Sequence, residues 1–346
     1  MMLRLGTFML GVLATGVIVA PRAGAQRLFR TDSMLTVTIT TELGPLLKQR
    51  DSLELVKHPA VVSYVGADGK SVNVPVKLRA RGHFRRQARN CDFPPLWLEL
   101  KPSDAKQTVL SGLSKIKIAT TCRPKSAEYE QYMLQEYVVY RAYAALTDAS
   151  FRTRLLRITY RDTAGKIAPV TTSGFFLEDV GDLADHLHLR VLPAHGAKFE
   201  DLESESLSLL SMFEYFIGST DWSVAALHNI ALLQDSTTRT IPVAYDFDWT
   251  GAVDPRYAFP DKTLPIHSVT ERLYRGNCPT PDQLKVTLDR FRSKHAAIDA
   301  IFTQLPQLAP DRAKRLKSFF DDFWKRLDDP RGFQKEIAQD CQKIGN

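Results

Sequence analysis

Two short apolar runs, Ile230 to Leu233 and Ile241 to Tyr245, lie on either side of a polar turn. Asp221 and Asn229 precede the first run, and Asp246 and Asp248 follow the second. Runs of this length bounded by turn residues predict a strand hairpin. A hairpin brings the start of its first strand beside the end of its second, so three carboxylates and a carboxamide are expected to meet at one end. Hard oxygen donors gathered in this way suit Mg²⁺ or Mn²⁺ carrying a phosphate, whereas zinc favours His or Cys. Residues 218–251 are therefore the candidate active site around which the remaining chain has to fold.

A chain of 346 residues has ample length to bury a core, as one large domain or two of ordinary size. Its start differs from the rest: Arg4 precedes an uncharged apolar run, Leu5 to Ala20, and Ala23-Gly24-Ala25 supplies small residues. This pattern predicts a secretory signal peptide over residues 1–25, cleaved before Gln26, with a retained anchor as the alternative. The run is short for a bilayer span, and no later segment predicts one. Loss of the leader removes Arg4 and Arg22 and no acid, lowering the net charge of +7 by two. Such a mild excess suits an anionic ligand such as a nucleotide, but it lacks the dense Lys/Arg stripe that nucleic acid requires. Four cysteines in an exported chain predict two disulfides. Cys91 and Cys122 flank a predicted sheet region and Cys278 and Cys341 bracket a helical one, which favours those pairings among the three possible.

Before the acidic hairpin the chain is rich in strands. LTVTITTEL at 35–43 alternates apolar and polar residues, and the Val-rich segments 60–65 and 72–80 are separated by a glycine turn. Further strands are predicted at 96–100, 116–121, 155–161 and 173–177. In the fifth, Lys115 and Lys117 project to one side because strand side chains alternate. Glu128 to Leu146 carries apolar and aromatic residues at helical spacing and predicts a long amphipathic helix with Glu136 near its middle. Leu207 to Ile217 predicts another helix. Beyond residue 280 the pattern is helical at 283–305, 311–327 and 333–344. The predicted class is α+β, with a β-rich lobe at 26–180 and a mostly helical lobe at 181–346.

Phosphoryl transfer needs a positioning carboxylate, metal ligands and cations for the nucleotide phosphates. Asp221 is placed to orient the acceptor hydroxyl, while Asn229 and Asp246 are placed to hold metal. Lys117 is the candidate for the phosphate oxygens. Its spacing of nineteen residues from Glu136, strand to following helix, allows a buried ion pair that would fix it. RARGHFRR lies in a stretch with five Arg between positions 79 and 89 around Gly82. A glycine turn rimmed by arginines can hold phosphate, which makes Arg81, Gly82 and Arg85 candidate nucleotide contacts; a solvated basic loop is the alternative.

Taken in order, RARGHFRR, KIKIATTC, QEYVVYRAY, SFRTRLLRITY, GFFLED, DWSVAALHN and YDFDWTG resemble the CotH kinase family over roughly residues 70–255. These are secreted or spore-coat proteins with an atypical protein-kinase-like fold. The resemblance implies ATP with Mg²⁺ or Mn²⁺ as cofactors and a protein acceptor. It makes Asp221 the catalytic-loop aspartate and Asp246 the metal-binding aspartate, with Asp248 joining the metal shell or capping the loop. No full Gly-rich kinase loop and no HRD triplet occur, and Pro95 and Trp97 stand where many relatives carry Lys. Lys117 is therefore the preferred ATP lysine, ahead of Lys115 and Arg81. Two other functions fit parts of the sequence. One is a non-catalytic envelope or coat protein, including a pseudokinase. The other is a DxDxT-type phosphatase built on DFDWT, which requires a parallel sheet after the motif.

Overall fold

The computed structural model describes residues 25–51 and 56–344. Apart from Ala25, the leader expected at 1–25 lies outside them. The fold is α+β. Seven strands form a closed barrel: β1 (Leu35–Thr41), β2 (His58–Val65), β3 (Ser71–Ala80), β4 (Leu96–Glu99), β5 (Lys115–Thr120), β6 (Thr153–Asp162) and β7 (Val170–Leu177). Neighbours run β1-β2-β3-β4-β5-β7-β6 and pair antiparallel, except that β1 closes the barrel by pairing parallel with β6 from Leu35↔Leu156 to Thr41↔Asp162. Period-two alternation turns Val37, Ile39, Val76, Leu78, Ile116, Ile118, Ile158 and Phe176 into a common interior. A short helix α1 (Ala25–Leu28) precedes the barrel, and α2 (Leu43–Lys48) follows its first strand.

The long helix α3 (Ala127–Leu146) starts after Ser126 with Glu128 and Glu130 in its first turn, where acidic side chains favour the positive end of the helix dipole. It is not the amphipathic surface helix that its spacing predicts. From Tyr132 to Tyr143 every side chain except Arg141 is buried. The barrel's outer face covers one side, with Phe175 of β7 against Tyr137 and Tyr140, and helices of the tail cover the other. A helix enclosed in this way can be apolar nearly all round.

After α4 (Val180–His186), strands β8 (Arg190–Val191), β9 (Ile230–Gln234) and β10 (Thr240–Ala244) form a separate antiparallel sheet in the order β10-β9-β8. Helix α5 (Ser204–Phe216) packs on β10. Glu203 caps it by accepting bonds from the Glu205 and Ser206 amides. The tail is α6 (Pro281–Thr303), α7 (Pro310–Arg326) and α8 (Pro330–Ile344), each with proline at its first position. Thr280 and Gln283 form a capping box at the start of α6. Disulfides join Cys91 to Cys122 and Cys278 to Cys341, the pairings favoured by the sequence. Among the described residues no helix is long and apolar enough to cross a membrane.

Candidate functional site

The hairpin forms as its sequence predicts, with Ala244 opposite Ile230 and Thr240 opposite Gln234. This register sets Asn229 beside Tyr245, whose amide donates to the Asn229 carbonyl at 2.9 Å. The two ends of the surrounding stretch also meet. Gly251 N donates to Gly218 O at 3.1 Å, and a side chain at Gly251 would collide with the Val269 carbonyl, so only glycine allows this approach.

Asn229 and Asp246 both have left-handed backbones, with φ of 56° and 64°. Short polar side chains tolerate this conformation better than other non-glycine residues do. Asp246 is held there from both sides in sequence. Its amide donates to the Tyr140 hydroxyl of α3 at 2.8 Å, and the next side chain, Phe247, is fully buried among Tyr140, Tyr143 and Phe213. Asp221 accepts from His228 Nε2 at 2.9 Å, while Asn229 Nδ2 donates to the Asp221 carbonyl at 2.7 Å and to its Oδ2 at 3.3 Å. Asp221, Asn229 and Asp246 therefore come together at one end of the hairpin.

The ion pair expected between Lys117 and Glu136 does not form. Glu136 is bound by Arg85 at 3.2 Å, and the same guanidinium reaches Asp246 at 3.1 Å and Asp248 at 3.2 Å. Arg85 lies in the loop after β3, and its planar fork can serve three acceptors at once where a lysine amine on a strand cannot reach them. Its donors are thus turned inward to carboxylates rather than outward to a free phosphate. One positive charge faces three carboxylates, which leaves two negative charges uncompensated if all are ionised. Burial, reinforced by the neighbouring carboxylates, pushes Glu136 and Asp248 above the ordinary carboxylate range, although Arg85 opposes the shift. Asp248 also accepts from the hydroxyl of the partly buried Tyr257 at 3.1 Å, and its side chain is enclosed while that of Asp246 is 38% exposed.

Lys117 stands on the outer face of β5, opposite Trp97 on one side and Leu177 on the other. Its Nζ lies 5.5 Å from the Trp97 ring centroid, 5.1 Å from Phe151 and 5.3 Å from Tyr245. Burial against these rings and repulsion from Arg81 outweigh Asp179 and Asp246 and lower its pKa to about 8. It makes no direct ion pair among the described residues. Lys115, on the same side as expected, lies over Trp97 and pairs with Asp179 at 3.2 Å. The buried Arg81 Nε has no hydrogen-bond partner. Gly82 adopts φ of 81° at the exposed turn, which favours glycine. Arg81 and Lys117, which make no ion pair among the described residues, act electrostatically on the Tyr245–Asp246 corner.

Sequence reasoning missed Arg85 as the hub of the carboxylates, Tyr140 as the acceptor for the Asp246 amide, and the aromatic cage around Lys117. Only the clustering of arginines pointed to the first, and nothing local distinguished Arg85 from its neighbours. Among the described residues no group of three His, Cys, Asp or Glu side chains is arranged to hold a metal by itself. No protein-family model, curated protein or solved structure matches the chain.

Proposed function

We propose that the chain catalyses ATP-dependent phosphoryl transfer to a protein acceptor with Mg²⁺ or Mn²⁺, as a secreted or periplasmic kinase of the CotH kind. The barrel with α3 then corresponds to the first lobe of an atypical kinase-like fold, and the second sheet with the helical tail to the other. The observation that carries this reading is the charge arrangement at the hairpin's end. Excess carboxylate around the partly exposed Asp246 stands near two cations that make no ion pair among the described residues, Lys117 and Arg81. Such a site can accept a divalent cation and a polyphosphate together, since each neutralises what the other leaves. The two disulfides fit an oxidising compartment.

In this reading Asp246 and Asn229 would hold the metal, which supplies charge neutralisation at the phosphates. Lys117 and Arg81 bind phosphate oxygens. Asp221, whose side chain is 43% exposed, orients the acceptor hydroxyl and receives its proton. Glu136 and Asp248 seat Arg85, which fixes Asp246; this is a positioning role in place of the phosphate contact assigned to Arg85 and the metal contact assigned to Asp248. The buried bridge from Arg85 to Asp246 and Asp248 also favours a second reading, a pseudokinase or envelope binding protein in which these carboxylates are structural. The phosphatase reading has no such support, because β10 pairs antiparallel with β9 and, among the described residues, no strand follows the motif to build the required parallel sheet.

Transfer of label from radioactive ATP with Mn²⁺ tests the proposal. Asp221→Asn and Asp246→Ala are each expected to lower transfer by roughly 10²–10⁴-fold. If the purified chain neither binds nor turns over ATP and Asp246→Ala changes nothing, the kinase reading is lost. Nucleotide binding without transfer selects the pseudokinase.

A further inference from the structure

Between Asp221 and Asn229 the chain makes a tight turn. Ser223 and His228 pair as an isolated antiparallel bridge, each amide donating to the other's carbonyl at 3.0 Å, and Ser223 Oγ accepts from the Ala226 amide at 3.2 Å. A left-handed residue stands on either side of His228: Leu227 with φ of 49° and Asn229 with φ of 56°. Asn tolerates this conformation, but Leu adopts it rarely, because its Cβ crowds the backbone.

The turn brings the His228 ring back onto Asp221, with Nε2 at 2.9 Å from Oδ1. A carboxylate can only accept, so this bond requires a proton on Nε2. Asn229 Nδ2 is committed to the Asp221 carbonyl at 2.7 Å and reaches Oδ2 only at 3.3 Å. One carboxylate oxygen is thus taken by the ring, and the other keeps room for a second donor. The His228 and Asp221 side chains are 54% and 43% exposed. An exposed pair of this kind adds little to stability and does not offset the strain at Leu227. Strained backbone that persists in an ordered turn is characteristic of functional sites, where it holds a side chain in place.

We propose that His228 is a positioning residue for Asp221: its Nε2–H holds Oδ1 and fixes the carboxylate rotamer, so that Oδ2 is presented to the acceptor hydroxyl. The proposal rests on the kinase reading for the task of Asp221, whereas the bond between the two side chains stands without it. A half-exposed carboxylate with no such bond turns freely about its side-chain torsions, and a base out of hydrogen-bond reach takes no proton. Loss of His228 therefore slows the transfer step and leaves the binding of ATP as it was.

Label transfer with Mn²⁺ and NMR of the histidine rings, both on the full chain, test this role. His228→Ala is expected to lower kcat about tenfold with KM for ATP unchanged, circular dichroism confirming the fold. His228→Gln, whose amide N–H can take the place of Nε2–H, is expected to stay within about threefold of the wild type. A side chain that only fills space would not separate Ala from Gln in this way. Wild-type kcat in His228→Ala, or an equal loss in His228→Gln, overturns the proposal. Long-range ¹H–¹⁵N spectra, with the His228 signal identified by its disappearance in His228→Gln, are expected to show a proton on Nε2 and a shift of that signal in Asp221→Ala. A proton on Nδ1 alone, or a signal that Asp221→Ala leaves unmoved, also overturns it. If the wild type transfers no label the kinase reading is lost, and the spectra by themselves decide whether His228 holds Asp221.

Discussion

Removing the Arg85 guanidinium leaves Glu136, Asp246 and Asp248 facing one another with no cation among them, two of the three being enclosed. Breaking a buried pair by deleting one partner costs about 3–5 kcal/mol, because the remaining charge is left unpaired. Arg85→Met should therefore lower the unfolding free energy by an amount of that order, read as a lower denaturant midpoint. Arg85→Lys should recover little of it, since an ammonium cannot reproduce the three-way fork. Glu214 of α5 differs in having no cation beside it. It is buried, one of its oxygens lacks a partner, and burial together with Asp221 raises its pKa to about 8 against an opposing bond from Ser219. The folded state thus holds this proton more tightly than the unfolded state, where glutamic acid titrates near 4.3. Its contribution is complete below that unfolded value and is lost as pH rises through about 8. Unfolding measured from pH 5 to pH 8 should show a decline in stability from this group of at most about 1.4 kcal/mol per pH unit, and Glu214→Gln should remove that part of the slope.

The β9–β10 hairpin owes its shape to residues beyond it. Phe247 packs against Tyr143 and Phe213 and so holds the chain immediately after Asp246 in the core. Phe247→Ala should cost about 3–5 kcal/mol in chemical denaturation, and nucleotide binding should weaken in parallel because the left-handed turn at Asp246 loses its anchor. The hairpin itself is legible in the sequence, since two apolar runs and a polar turn determine it locally. The strands of the barrel are legible for the same reason, as in β3, where alternate side chains from Val74 to Ala80 are buried. The cover over α3 is not legible, because helical spacing records which positions are apolar but not how many neighbours will enclose them. Arg85 is hidden for a related reason: its partners are 51 and 161 residues away for Glu136 and Asp246, and no local pattern links them.

Across the molecule, the candidate site lies where the outer face of the barrel, α3 and the second sheet converge. Two segments of the chain are joined there by a covalent clamp. Cys91 follows the loop that carries Arg85, and Cys122 follows the strand that carries Lys117, so their disulfide ties both cationic segments together. Replacing both cysteines by serine should cost about 2–5 kcal/mol, read as a lower thermal midpoint, and reduction of the wild type should move it in the same direction. Closure of the barrel, unlike its individual strands, has no signature in the sequence, because the pairing of β1 with β6 joins segments separated by the whole of α3 and four intervening strands.

That parallel closure also sets an order of events. Leu35 finds its partner only when Leu156 is available, so a chain emerging from its N-terminus carries β1 with an unpaired edge until most of the barrel has been made. Pairings so distant along the chain are entropically costly to form and tend to be slow. β1 can pair with β2 at once, but its other edge waits for β6, and β7, made last, has to bridge β5 and β6, so the sheet keeps an open edge until its final two strands have emerged.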